Sequence, residues 1–220
     1  DAGIASITSP SGSICGSTVN PSVVLQNYGT TTLNSVAILY NLDGAANSTF
    51  NWTGSLAAGA SATVSLGVMS PSAGAHTLNV TTNLPNGAAD VNTANDANSS
   101  AFTIIVGGEI ITLTIDTDCY GEETYWELKD ASTALVASGG NISVVIPPGG
   151  LQLGTAQGDA GAYGVEVQVV ENFCLASGCY DFVLYDDWGD GMNAAGDPGC
   201  TVNGNWVITN ATSTVLASMS

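Results

Sequence analysis

Apolar and polar residues follow one another along this chain in short alternating runs, punctuated by Gly, Pro, Asn and Asp. Val23-Val24-Leu25-Gln26-Asn27, Ser35-Val36-Ala37-Ile38-Leu39-Tyr40, Ala62-Thr63-Val64-Ser65-Leu66 and His76-Thr77-Leu78-Asn79-Val80-Thr81 are examples. A period near two over four to eight residues is the pattern of half-buried strands. Helix signals are nearly absent. Strands at this spacing predict a β-sandwich for the first half. That half ends on Phe102-Thr103-Ile104-Ile105-Val106, and Gly107-Gly108 marks a boundary, giving domains at 1–106 and 109–220.

The second half contains a repeat. Trp126-Glu127-Leu128-Lys129-Asp130-Ala131 leads to Leu135-Val136-Ala137-Ser138, and Trp206-Val207-Ile208-Thr209-Asn210-Ala211 leads to Val215-Leu216-Ala217-Ser218, at identical offsets. Each copy reads as a hairpin: a strand after Trp, a turn at Asp130 or Asn210, and a returning strand. Two related hairpins in one domain predict a two-sheet, jelly-roll-like sandwich. The expected fold class is therefore all-β, with two tandem β-sandwiches, the first immunoglobulin-like.

Charge narrows the function. The 220 residues carry 19 acidic groups against one Lys and no Arg, a net charge of -18, while apolar residues make up 45%. That apolar share is too high for a disordered acidic tail. Nucleic acid is excluded as a partner, because binding it needs Lys or Arg to displace phosphate counterions. Anionic membrane surfaces are excluded for the same reason, and no apolar run is long enough to insert into a bilayer.

Against that background, Tyr185-Asp186-Asp187-Trp188-Gly189-Asp190-Gly191-Met192 places three carboxylates within five residues. Calcium fits such a loop best, since it accepts carboxylate and carbonyl oxygens in flexible geometry. A solvated acidic turn is the plainer alternative. The loop lacks the spacing, closing Glu and flanking helices of an EF-hand. A second acidic stretch, Asp116, Asp118, Glu122 and Glu123, precedes the first hairpin, as Asp186, Asp187, Asp190 and Asp197 precede the second. If the hairpins are pseudo-symmetric, both loops emerge at one end and one or two calcium ions tie them together. The expected ligands are Asp118, Glu123, Asp186, Asp187 and Asp190.

Four of the five cysteines, Cys119, Cys174, Cys179 and Cys200, fall in the second half. In a Gly/Ser/Thr/Asn-rich acidic chain this predicts an oxidising, extracellular or cell-surface setting. The start at Asp1 reads as that of a mature secreted protein or an excised segment. The expectation is two disulfides among the late four, in an order the sequence leaves open, with Cys15 left over as a small buried hydrophobe. Sequons at Asn47, Asn51, Asn79, Asn98, Asn141 and Asn210 are candidate glycosylation sites.

Several motifs of the first half resemble the CARDB-type domain, an immunoglobulin-like module of bacterial surfaces. They are Asn27-Tyr28-Gly29, Tyr40 before Leu42-Asp43-Gly44, Trp52-Thr53-Gly54-Ser55-Leu56 before Ala58-Gly59, and Ala73-Gly74-Ala75-His76-Thr77-Leu78. Asp90, Asn92, Asn95 and Asp96 then precede the last strand. The resemblance covers 1 to 106 and implies a domain that presents, spaces or adheres.

Residues 110 to 220 resemble a module of secreted multidomain proteins from Bacteroidetes-like bacteria. The shared residues run from Asp118-Cys119-Tyr120-Gly121 to Trp126-Glu127-Leu128, then Cys174-Leu175 before Gly178-Cys179-Tyr180, then Leu184-Tyr185-Asp186 and Trp188-Gly189-Asp190-Gly191. Members of that group often place a cysteine directly after Gly-Asp-Gly. Here Met192-Asn193 follow and Cys200 comes later, which leaves the disulfide pattern open.

An enzyme reading finds little. His76 is the one histidine, in an alternating strand, and no Gly-x-Ser-x-Gly elbow is present. Of the four tryptophans, Trp126 and Trp206 sit at equivalent hairpin positions and read as core. Trp188, inside the acidic loop, reads as an exposed ring able to stack on sugars. The reading is a non-catalytic structural or adhesive surface protein, stabilised by calcium, a subunit or repeat of an extracellular fibre. Its partners would be copies of itself or other surface proteins, joined by strand addition, with Asp1–Thr8 as the segment to watch. A carbohydrate-binding accessory module of a larger secreted hydrolase, with glycans as partners, is the alternative.

Overall fold

The computed structural model describes residues 1–144, 154–196 and 199–219. The chain divides into two compact units, Asp1–Gly108 and Glu109–Ser220. Both are built from strands; the helical segments among the described residues are short 3-10 turns at Pro85–Gly87 and Gly121–Glu123.

The first unit holds β1 (Ala2–Ser9), β2 (Gly12–Cys15), β3 (Ser22–Asn27), β4 (Leu33–Leu42), β5 (Ser48–Leu56), β6 (Ser61–Ser65), β7 (Gly74–Asn83) and β8 (Ala97–Ile105). One sheet runs β1-β3-β6 and the other β2-β8-β7-β4-β5. Alternation sets what is buried: in β3, Val23, Leu25 and Asn27 point inward and their neighbours do not. Val23, Leu25, Ile38 and Leu78 lose all contact with water; each such burial contributes roughly 1.5–3 kcal/mol. Asn27 shares that interior because all its polar atoms are used. Its Nδ2 donates to the carbonyls of Thr31 and Leu56 at 2.8 and 2.9 Å, and its Oδ1 accepts the Gly29 N–H at 3.0 Å. The Asp1–Thr8 segment forms most of β1, paired antiparallel to β3 with Ile4 opposite Leu25. It is this unit's own first strand.

The second unit holds β9 (Glu109–Asp116), β10 (Thr124–Asp130), β11 (Leu135–Gly140), β12 (Gln168–Leu175), β13 (Tyr180–Asp186), β14 (Asn205–Asn210) and β15 (Val215–Ser218). Its sheets run β11-β10-β13 and β12-β9-β14-β15. They close on a core of Leu113, Ile115, Trp126, Leu128, Leu175 and Met192. The Trp126 indole meets the Phe173 ring edge-on at 5.6 Å, and Phe182 lies 4.8 Å from Trp206, separations at which offset or edge-to-face aromatic pairs are favourable.

The two repeat copies are the hairpins β10–β11 and β14–β15, one in each sheet. Their registers match. Leu128 faces Ala137 and Lys129 faces Leu135 across a bulge; Ile208 faces Ala217 and Thr209 faces Val215 across the same bulge. Their turns match too. Asp130 Oδ1 accepts the N–H groups of Ser132 and Ala134, and Asn210 Oδ1 accepts those of Thr212 and Thr214. Thr133 and Ser213 both take positive φ, 68° and 61°. A side chain that caps its own turn explains why Asp and Asn exchange freely here.

Cys119 bonds to Cys200, with Cα atoms 5.3 Å apart. These are the cysteines just ahead of the two hairpins. The remaining assignment is a correction: Cys179 is the free thiol and is exposed, while Cys15 and Cys174 are each disulfide-bonded. Cys179 sits in the tight β12–β13 connection, where its side chain turns to solvent.

Candidate metal centre

Strand β13 pairs antiparallel with β10, and the pairing puts Asp186 opposite Thr124. The residue before Thr124 and the loop after Asp186 therefore meet. Glu123, Asp186 and Asp190 each bring a carboxylate oxygen within 4.8 Å of the others. An ion with bonds of roughly 2.3–2.6 Å bridges oxygens up to about 5 Å apart, so the triad has the span of a calcium site.

The loop is held by its own backbone. Asp186 Oδ1 accepts the Gly189 N–H, and Gly189 and Gly191 take positive φ of 72° and 76°, a conformation glycine adopts at little cost. On the other side, the Asp187 N–H donates to the Glu123 carbonyl at 3.1 Å. Gly121 allows the 164 region to lean on the acidic turn: a Cβ there would lie 2.3 Å from the Gly164 carbonyl oxygen.

Electrostatics mark the site as short of positive charge. Burial and then the charges of Asp186, Asp190, Glu122 and Asp187 push Glu123 up to about 8. Burial is also the main cause that raises Asp186, with Asp190 adding to it and backbone N–H donors opposing. The chain's one Lys cannot help. Lys129 is paired with Glu127 at 2.6 Å, and Glu127 also accepts the Tyr185 hydroxyl at 3.0 Å.

The other expected ligands are placed differently. Asp187 is buried completely beside the triad. Asp118 is buried as well, but its carboxylate caps the next turn by accepting the Tyr120 N–H at 2.9 Å. Asp197 lies outside the described residues. Glu122, in the acidic stretch but not among the expected ligands, and Asn141, a candidate only for glycosylation, border the centre. Asn141 is fully buried, and its Nδ2 donates to the Glu122 carbonyl at 2.7 Å and to Asp159 Oδ2 at 3.2 Å. That corrects its candidacy for glycosylation, since a glycan cannot be attached to an enclosed, hydrogen-bonded amide. Asn47 and Asn51 are exposed; Asn79, Asn98 and Asn210 are half-buried.

Trp188 stands half exposed in the acidic loop. Trp206 borders an apolar cleft of about 420 Å³ that opens between the two sheets, with Ile111, Leu128, Phe182 and Leu216. None of the triad lines it.

In the first unit, His76 forms a triad-like line that the sequence does not reveal. Nδ1 lies 2.8 Å from Asp43 Oδ2, and Nε2 lies 3.5 Å from Ser72 Oγ. However, Nε2 is also 2.9 Å from the Ser72 main-chain carbonyl, which only accepts hydrogen bonds. The hydrogen bond to Asp43, followed by that to Ser72, raises the imidazole's pKa. Nε2 is directed at the Ser72 main-chain carbonyl, at 2.9 Å, rather than at the hydroxyl, at 3.5 Å. The line is a structural tie between β7 and the turn after β4.

No protein-family model matches this chain, and no curated protein matches it. Among solved structures, it is similar to the CARDB domain of PF1109 from Pyrococcus furiosus. One structure of that domain, in solution, is 19% identical, with 48% of this chain and 94% of that one covered and a TM-score of 0.39. A crystal structure of the same domain in complex with di-metal ions is 19% identical, with 48% and 88% covered and a TM-score of 0.40. Dimeric latent PorU from Porphyromonas gingivalis is 14% identical over 99% of this chain and 20% of its own, with a TM-score of 0.32.

Proposed function

We propose that this chain is a non-catalytic extracellular structural or adhesive protein whose second unit is held together by calcium at Glu123, Asp186 and Asp190. The observation that carries the reading is the convergence of these three carboxylates in a chain whose one Lys is already paired. A hard divalent cation relieves the repulsion that raises Glu123, and hard carboxylate oxygens select calcium over softer metals. The Cys119–Cys200 bridge supports an oxidising, extracellular location.

Self-association is the proposed mode of action. Among the described residues the outer strands β11 and β15 are unpaired on one side and present Leu135, Val136, Val215 and Leu216, all well exposed; an apolar unpaired edge is a template for another strand. Exposed Trp188 in the acidic loop favours one second reading, a calcium-dependent glycan-binding accessory module in which the ring stacks on a sugar.

Thermal melts of the full chain in calcium and in chelator test the first claim. Calcium should raise the midpoint by several degrees, and coincident melts would refute it. Electron microscopy in calcium separates the two modes: fibres support assembly, whereas monomers that bind a defined glycan support the accessory module.

A further inference from the structure

We propose that the cleft between the two sheets of the second unit binds a small aromatic ammonium ion, with the ligand's ring inside and its charged group at Glu109. The proposal is independent of the acidic centre, whose triad does not line this cleft.

The cleft's volume, about 420 Å³, falls within the range of small-molecule sites, roughly 300–1,000 Å³. Leu128 and Leu175, both buried, line it. Phe182 and Trp206 line it with them and are only half-buried. Phe182 comes from β13 and Trp206 from β14, one from each sheet, and their rings meet at 4.8 Å with an angle of 54° between their planes. Part of each ring thus stays in contact with water in the free protein, and a flat apolar ligand would remove it from water.

The polar groups choose the ligand's charge. The Tyr180 hydroxyl, which also lines the cleft, is already used: it donates to the Ala176 carbonyl at 3.0 Å. Glu109 is the one charged residue among those lining the cleft. It is exposed and takes no part in the ion pairs of the described residues, which are His76–Asp43 and Lys129–Glu127. A carboxylate beside aromatic faces suits an organic cation. The face of a Trp or Phe ring attracts a cation within about 6 Å of its centre, and the carboxylate supplies the countercharge. The net charge of -18 draws cations towards the surface and repels anions. A ligand of the same shape carrying a carboxylate would meet Glu109 as a like charge, and a neutral one would gain burial alone.

NMR titrations of the full chain with phenethylammonium, 2-phenylethanol and phenylacetate test this, because the three share a ring and a two-carbon arm and differ in charge. The Trp206 indole N–H and the Phe182 ring resonances should move with the cation. It should bind roughly five-fold more tightly than the alcohol, the factor that an ion pair of about 1 kcal/mol gives, and phenylacetate should not bind. Glu109→Gln, an exposed change, should lower the cation to the alcohol's affinity and leave the alcohol's unchanged. Trp206→Leu should abolish binding of both. Ala217→Trp, which fills the cleft from an exposed position on β15, makes the same test if Trp206→Leu does not fold. No binding by any probe, equal affinity for all three, or an undiminished cation preference in Glu109→Gln overturns the proposal. So does movement of the same resonances with protein concentration alone, which would give the cleft to a second copy of the chain.

Discussion

Among the described residues, the first unit gathers fifteen buried apolar residues into one core, from Ala2 to Ile104, whereas the corresponding core of the second unit numbers six. The first is a sandwich stabilised by burial, with Asn27 as a fully hydrogen-bonded exception. The second substitutes other devices: the Cys119–Cys200 bridge, self-capped turns at Asp130 and Asn210, and an acidic centre with buried carboxylate oxygens left unpaired. Small cores commonly need covalent or metal staples. The acids differ in the same sense. In the first unit Asp90 is satisfied by the N–H groups of Ala2 and Asn92; Asp96 Oδ1 is also buried without a partner there, but as a single carboxylate, whereas the three-carboxylate cluster among the described residues lies in the second. The lesson is that the repeat, as much as the core, organises the second unit, and that the proposed cation would supply what its core lacks.

Breaking the bridge should hurt the second unit most. Cys119 and Cys200 are 81 residues apart, and closing a loop of that length stabilises by about 4 kcal/mol. Cys119→Ser should lower the urea midpoint of the second unit accordingly and leave the first unit's amide protection unchanged. Equal loss in both units would end the contrast.

Calcium removal comes next. A ligand at a hundredfold excess over its Kd stabilises by about 2.7 kcal/mol, so chelation should cost about that much in the second unit. Asp190→Asn should blunt the effect, and an undiminished response in that variant would argue against the triad.

The pH dependence sharpens the comparison further. Glu123 is raised from 4.5 to about 8, so without metal the fold favours its protonated form. That contribution is fully present below pH 4.5 and lost as pH rises through about 8. The calcium-free second unit should therefore weaken between pH 5 and 8.5. With calcium the trend should reverse, because the ion displaces the proton. Urea midpoints at the two pH values, with and without chelator, decide this.

The smallest effect belongs to the first unit. His76 is raised above 6.5 and Asp43 lowered below 3.8 by their mutual hydrogen bond. The His76 contribution is present below pH 6.5 and lost as pH rises through its raised value. That of Asp43 is present above pH 3.8 and lost as pH falls through its lowered value. His76→Gln should flatten the alkaline loss, measured by the same urea midpoints, without touching the second unit.

Local pattern made much of this legible. Alternation marks β3, β4, β6 and β7, and the offset from Trp126 to Trp206 foretells two hairpins with one register. Asp186 and Asp190 stand out because glycines surround them. What sequence hides depends on long-range pairing. Glu123 reaches Asp186 only because β10 lies beside β13. Asp118 looks equally suited, but the three-carboxylate group leaves it out, and its Oδ1 accepts the Tyr120 N–H. Asn141 reads as a surface sequon, yet its amide ties Glu122 to Asp159. Cysteine spacing likewise gave no warning that exposed Cys179, rather than Cys15, is the free thiol.

The most direct measurement is hydrogen–deuterium exchange on the full chain, in calcium and in chelator, read separately for residues 1–108 and 109–219. The account predicts slower exchange in calcium around Gly121–Thr124 and Asp186–Gly191, spreading into β10 and β13, with the first unit unchanged. Identical exchange in both conditions, or equal protection of both units, would contradict it.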